Sequence, residues 1–381
     1  MLTFISIHLS RFAAALWNDL RTLPVPGPRM IDEAECVCSV LLAIAFAHLL
    51  GAENVGWAAF SGYMVMRSHV AESFLRGMLR VAGTVIGAVV ALLLSPLVTA
   101  QPALLSLALL IGGSITLYYA IVGHRAYAWL FTGLTFMMVL IESMEQPLEP
   151  ITWFALTRVL EVLAGTTACV LVSAVSTFTI RRRLPDPDRA GRTAAAARPA
   201  KQWYPALARH ALIGGVTLAT IPWIWTWLGI HALSQSSVTI FVVMLIPATA
   251  LSGDSTLTPV ASRILHRLAG CLAGGMLAGA VLLISHHSPL LITVGLGAGV
   301  IIGRHIQTGP AAPAYVALQF TLVFLVVLVP DNYARAAIDP AIERLVGIVF
   351  GMVLLEPALF LAYLFRQRSI RLQQLPQLNG K

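Results

Sequence analysis

Twelve apolar segments, split six and six by one basic linker, limit this chain to folds that live in a bilayer. The first six run over 34–51, 55–67, 77–98, 102–122, 127–143 and 154–179. The linker, RRRLPDPDRAGRTAAAARPAK, occupies 181–201. The second six cover 208–230, 236–251, 261–284, 288–303, 311–329 and 340–365. A helix needs about 20 apolar residues to cross the hydrocarbon core. Segments 55–67 and 236–251 fall short of that and are expected to be tilted, lengthened by neighbours or partly broken. Only 11% of the 381 residues are charged, against about 25% in soluble domains, and mean hydropathy is +0.82. The expected fold is an all-α polytopic membrane protein of about 12 transmembrane helices, arranged as two parallel six-helix repeats.

The N-terminal stretch carries Ile5, Leu9, Phe12, Leu16 and Leu20 on one helical face, ahead of the chain-breaking LPVPGPR at 23–29. The expected organisation is therefore an interfacial helix and turn over 1–30, a first repeat over 31–180 and a basic cytoplasmic linker over 181–207. A second repeat over 208–366 and a cytoplasmic tail over 367–381 complete it.

Charge placement gives the orientation. With twelve spans, 22 of the 25 arginines and lysines fall on the side of both termini and the linker, and three (Arg158, Arg335, Arg344) on the other. The positive-inside rule makes the rich side cytoplasmic. The net charge of +8 is thus a topology signal and not a nucleic-acid footprint. The two lysines, Lys201 and Lys381, both lie outside apolar runs, which excludes a P-loop.

One motif is written twice. Arg76, Arg80, Gly83, Gly87 and Ala91 match Arg263, Arg267, Gly270, Gly274 and Ala278 at a constant offset of 187. Glu161 and Gly165 match Glu343 and Gly347 at an offset of 182, and Gly351 extends the last copy. Six spans per half is an even number, so the halves enter the membrane in the same sense and are related by an axis along its normal. A substrate path is expected between them.

The motif admits two readings. Steps of four, three, four and four place its residues on one helical face. Gly83, Gly87, Gly270, Gly274, Gly347 and Gly351 suit close helix packing in lipid, while Arg76, Arg263, Arg80 and Arg267 suit cytoplasmic snorkelling. In the functional reading, Arg80 and Arg267 form a matched cationic pair that grips the carboxylate of an organic anion in two hydrogen bonds.

Arg158 and Glu161 are one turn apart and can pair; Glu343 and Arg344 are adjacent and need partners elsewhere. These four, with Glu356 inside the last span, are candidates for proton coupling or ion pairing. His48 reads as a packed, hydrogen-bonded histidine. The four cysteines read as small residues at helix contacts, and the tryptophans as an interfacial belt. No catalytic residue set, metal site or cofactor is expected; Asp254 and His266, twelve residues apart, are the nearest approach to an enzyme's polar pair.

The stretch WAAFSGYMVMRSHVAESFLRGMLRVAGTVIGAVVALLL at 57–94 resembles the signature region of the fusaric acid resistance (FUSC) and aromatic acid exporter group. There a tryptophan-led span precedes a short loop and an R-x-x-G-x-x-x-G helix. SSVTIFVVMLIPATA and ASRILHRLAGCLAGG, within 236–275, follow the pattern more loosely. The resemblance implies a bacterial inner-membrane exporter of small aromatic carboxylates driven by the proton gradient, with a periplasmic adaptor as partner in some relatives. Many relatives insert a sizeable cytoplasmic domain where this chain has a linker of about 21 residues. Plant malate-channel cousins keep an anion channel open as the alternative mechanism. A major-facilitator carrier is disfavoured because RSHVAESFLRG at 67–77 lacks the G-x-x-x-D-R-x-G-R loop. The expected partners are a small organic anion and the lipid bilayer, with homo-oligomerisation left open.

Overall fold

A computed structural model of the chain describes residues 14–23, 27–144, 148–183, 204–230, 233–247, 257–286, 288–310, 314–329, 342, 345–361 and 364. Among these residues every regular element is helical. After a short helix at 14–21 come α1 (Pro28–Leu49), α2 (Val55–Val65), α3 (Val70–Val98), α4 (Pro102–Val122), α5 (Ala126–Glu142) and α6 (Leu148–Thr179). The second half supplies α7 (Pro205–Ala219), α8 (Ile221–Leu228), α9 (Ser234–Met244), α10 (Leu257–Ser285), α11 (Pro289–Gln307), α12 (Ala314–Leu328) and α13 (Leu345–Leu361).

Local chemistry sets several boundaries. Prolines open α1, α4, α7 and α11, where the missing N–H removes no intrahelical bond. Gly229, left-handed at φ 61°, ends α8. Among the described residues six helices are long and apolar enough to cross a membrane: Val70–Val98, Pro102–Val122, Pro150–Thr179, Pro205–Leu228, Pro259–Ser285 and Pro289–Gln307. The chain is a multi-pass membrane protein.

The chain divides into two compact units, and each draws on both sequence halves. The first unit covers 1–84, 153–198 and 265–345. In it α1 packs on α2 and α11, and α12 packs on α11 and α2. The second unit covers 85–152, 199–264 and 346–381. In it α7 packs on α4 and α9, and α5 packs on α4 and α9. The pairing rule is the same in both: the first two apolar segments of one half meet the fourth and fifth of the other.

The short segments become short helices. α2 and α9 have eleven residues each, about 16 Å of helix against roughly 30 Å of hydrocarbon. Both leave helical geometry abruptly, at Met66 (ψ 127°) and at Leu245 (ψ 80°). Both are buried along nearly their whole length.

The motif glycines lie at close backbone approaches. A Cβ on Gly87 would stand 2.5 Å from the Thr132 carbonyl of α5. A Cβ on Gly270 or Gly274 would fall on the carbonyls of Val316 or Phe320 in α12. Gly165 meets Ala58 and Ser61 of α2, and Gly347 and Gly351 meet Gln235 and Ser236 of α9. Gly83 is buried.

One expectation needs correction. His48, read as packed, is exposed near the end of α1. Of the N-terminal face, Ile5, Leu9 and Phe12 lie outside the described residues, while Leu16 and Leu20 pack against Ile306 and Ala317. Cys36, Cys169 and Cys271 are buried, and Cys38 is exposed.

Candidate functional site

The first unit holds a buried polar layer that begins at the N-terminal turns of α1. Asp32, Glu33 and Glu35 lie there within four residues, all at most 7% exposed. A helix N-terminus favours negative charge, yet buried carboxylates still need partners. The end of α11 provides them, with the basic side chains Arg304 and His305 at the negative end of the helix dipole. Arg304 Nε and Nη2 donate to Asp32 Oδ2 and Oδ1 at 2.5 and 3.1 Å, a two-pronged grip. His305 Nδ1 lies 2.6 Å from Glu33 Oε1.

A further basic side chain comes from just beyond α6. Arg181 Nε and Nη2 donate to Glu35 Oε1 and Oε2 at 2.7 and 2.6 Å, and Nη2 is 3.6 Å from Asp32 Oδ1. Its hydrogen bond to Glu35 raises the Arg181 pKa above the ordinary guanidinium value, against the opposing effect of burial. Ser176 donates its hydroxyl to Glu35, and Arg29 Nη2 donates to the His305 carbonyl.

The layer continues toward α2 and α12. Tyr63, 1% exposed, donates its hydroxyl to Gln307 Oε1 at 2.6 Å. The Thr321 hydroxyl sits 3.3 Å from the Tyr63 oxygen and 3.0 Å from the Ala317 carbonyl. The Arg304 guanidinium lies 6.0 Å from the Tyr63 ring centre.

Arg80 and Arg267, the matched arginines, both belong to this unit and are 1% and 2% exposed. Arg80 Nη2 donates to Ser61 Oγ at 2.9 Å, and its guanidinium stands 4.8 Å over the Phe60 ring. Arg267 Nη1 donates to Gln319 Oε1 at 2.7 Å. Both acceptors are neutral oxygens, one on α2 and one on α12. These helices pack together, with Gly56 against Val326. The second members of each arginine pair are only half-buried. Of these, Arg263 Nε donates to the Val242 carbonyl in the last turn of α9 at 3.1 Å. His210 Nε2 donates to the Met244 carbonyl at 2.8 Å, so both hold the open C-terminal end of α9.

Glu161 and Arg158 form an ion pair at 3.3 Å, with Glu161 fully buried and Arg158 7% exposed. Glu161 Oε1 accepts the backbone N–H of Asn54 at 3.2 Å. Arg158 is flanked by Trp57 and Phe154, with ring centres at 4.9 and 5.0 Å. Trp153 Nε1 donates to Glu53 at 2.5 Å beside them. Glu356 is exposed on α13, and Glu343 and Arg344 lie outside the described residues.

The layer around Asp32, Glu33, Glu35, Tyr63, Arg181, His305 and Gln307 was not singled out from sequence, and Arg304 entered only as a topology marker. One signal was available: three of only 17 acids fall within four residues at the mouth of the first apolar segment. The positive-inside count passes over acids.

A family model described as fusaric acid resistance protein-like matches residues 42–172 and 220–355, more than half of the chain. The curated proteins and the solved structures return no match. The matched stretches include Arg80, Arg267, Arg304 and His305 but leave out Asp32, Glu33, Glu35 and Arg181.

Proposed function

The chain belongs to the fusaric acid resistance protein-like family, and from that premise we propose that it exports small organic anions, aromatic carboxylates above all, in exchange for protons. The family is one of membrane transport linked to resistance. The finer reading places the protein in a bacterial inner membrane with both termini cytoplasmic, on the strength of the 22-to-3 charge split. Its spans form two parallel six-helix repeats, a reading supported by the repeated motif and the matching helix pairings of the two units. A periplasmic adaptor is the expected protein partner.

The observation that carries this reading is the burial of Arg80 and Arg267, at matched positions, around the α2–α12 contact. Arginine buried in a membrane protein is expensive and is spent at substrate or ion paths. Ser61 Oγ and Gln319 Oε1 occupy the places a ligand carboxylate would take on the two guanidiniums. Phe60, already stacked under Arg80, offers a flat face to an aromatic ring. Unusually short apolar helices at corresponding positions of two repeats are the best pointer to a transporter's binding site, and α2 is one of them.

The test is efflux of radiolabelled benzoate from preloaded cells that lack their own exporters. Expression of the chain should accelerate efflux, and collapse of the proton gradient should abolish the gain. Unitary benzoate currents in planar bilayers would instead assign a channel.

A further inference from the structure

We infer that His305 and Glu33 together form the proton-binding site that couples this exporter to the proton gradient; the inference rests on the transport reading above. The imidazole's two nitrogens meet different partners. Nε2 lies 3.0 Å from the Asp19 backbone carbonyl, which only accepts. It also lies 2.9 Å from Thr22 Oγ1, whose own hydroxyl hydrogen goes to that same carbonyl at 2.7 Å. Nε2 therefore carries a hydrogen. On the other side, Nδ1 and Glu33 Oε1 stand 2.6 Å apart, a distance that requires a hydrogen between them. It rests on the imidazole or on the carboxyl. In both forms the pair holds one proton more than a neutral imidazole beside an ionised carboxylate. The geometry is that of the loaded site.

The surroundings restrict where that proton's charge can be balanced. Among the described residues, the backbone carbonyl of Asp19 meets the imidazole, Arg29 holds the His305 carbonyl, and the adjoining polar layer supplies Asp32, Glu35, Arg304, Arg181 and Tyr63. Arg304 and Arg181 are committed to Asp32 and Glu35. Release takes the proton to water. The neutral imidazole then has one hydrogen for two acceptors, the Asp19 carbonyl and the Glu33 carboxylate, so the charge-assisted tie between the ends of α1 and α11 weakens. Thr22, an exposed residue 2.9 Å from Nε2, gives the buried imidazole a hydrogen-bonded exit to solvent.

The experiment compares the full-length wild type with His305→Gln and Glu33→Gln in phosphatidylethanolamine–phosphatidylglycerol vesicles, using radiolabelled benzoate. A coupled wild type speeds up when a pH gradient is imposed, by at most about tenfold per pH unit for one proton. Both variants should retain downhill benzoate flux and lose that acceleration. Acceleration equal to wild type in either variant overturns the assignment. A second readout needs no substrate: amide hydrogen exchange across α1's first turns, corrected for its intrinsic pH dependence. Protection there should fall as pH rises in the wild type and stay level in His305→Gln. A wild-type profile as level as the variant's overturns the site. Failure of wild-type vesicles to move benzoate counts against the transport reading instead, and the exchange profile then decides the proton site alone.

Discussion

Glu161 of α6 accepts the backbone N–H of Asn54, the residue that precedes α2, at 3.2 Å. One helix thus supplies the N-terminal cap of another. Asn54 makes no side-chain cap bond of its own, and the first N–H groups of a buried helix need acceptors. A carboxylate also suits the positive end of the helix dipole. This gives Glu161 a structural task beside the proton-coupling role considered from sequence, and Arg158 balances its charge at 3.3 Å.

Loss of that cap has a graded signature. Glu161→Ala strands Arg158 in a buried position, a situation that costs about 3–5 kcal/mol. Glu161→Gln keeps an oxygen for Asn54 and should lose clearly less. The double variant Arg158→Ala, Glu161→Ala should recover part of the loss relative to the sum of the singles. Thermal unfolding in detergent measures all three; equal losses in the Gln and Ala variants contradict the capping account.

The glycine contacts predict position-specific intolerance. Gly87→Ala and Gly274→Ala place a methyl against the backbone of Thr132 or Phe320, so each should destabilise by about 1–3 kcal/mol. Gly279, around which a Cβ meets nothing within 4 Å, is the control and should accept alanine with no measurable loss. Equal behaviour at all three positions would deny the close helix approaches.

The free end of α9 makes a separate prediction. His210→Ala removes the donor to the Met244 carbonyl and leaves it unsatisfied in a buried site, at a cost of about 1–3 kcal/mol. Hydrogen exchange of the last turn of α9 should rise while α4 stays protected. A uniform rise in both would mean that His210 acts on the whole unit and not on that end.

Much of the fold is legible from hydropathy because lipid imposes length and polarity on each span. The segments read at 102–122 and 127–143 coincide within a residue with α4 and α5. The polar layer is less legible for a physical reason. Arg304 meets Asp32, and His305 meets Glu33, across 272 residues of sequence. Neither partner announces the other: three acids at a helix N-terminus read as ordinary dipole complements, and an arginine at a span end reads as a topology anchor. Arg80 and Arg267 were singled out by the repeat, but their acceptors were not, because Ser61 and Gln319 sit inside apolar helices without periodic signal.

A pH prediction follows from the ion pairs that remain when His305 is replaced. The hydrogen bond to Glu35 holds the Arg181 pKa above the ordinary guanidinium value. Its stabilising contribution is therefore complete below that value and lost only as pH climbs through the raised one. In His305→Gln, protection of α1's first turns should stay level from pH 6 to 9, a window chosen because it lies roughly three units or more below that loss. A decline inside the window would show that the Arg181–Glu35 tie is not what holds α1 there.

The central claim is that Arg80 and Arg267 hold the exported anion, and the most direct measurement is benzoate efflux from preloaded cells expressing Arg80→Gln, Arg267→Gln, Arg80→Lys or the wild type at equal membrane levels. Each guanidinium should supply charge-assisted hydrogen bonds worth about 1.5–3 kcal/mol, so the glutamine variants should lose roughly tenfold or more of their efflux at limiting benzoate. Arg80→Lys should fall between them and the wild type, since it keeps charge but not the two-pronged grip. Wild-type efflux in both glutamine variants would contradict the claim and reduce the two arginines to packing and topology.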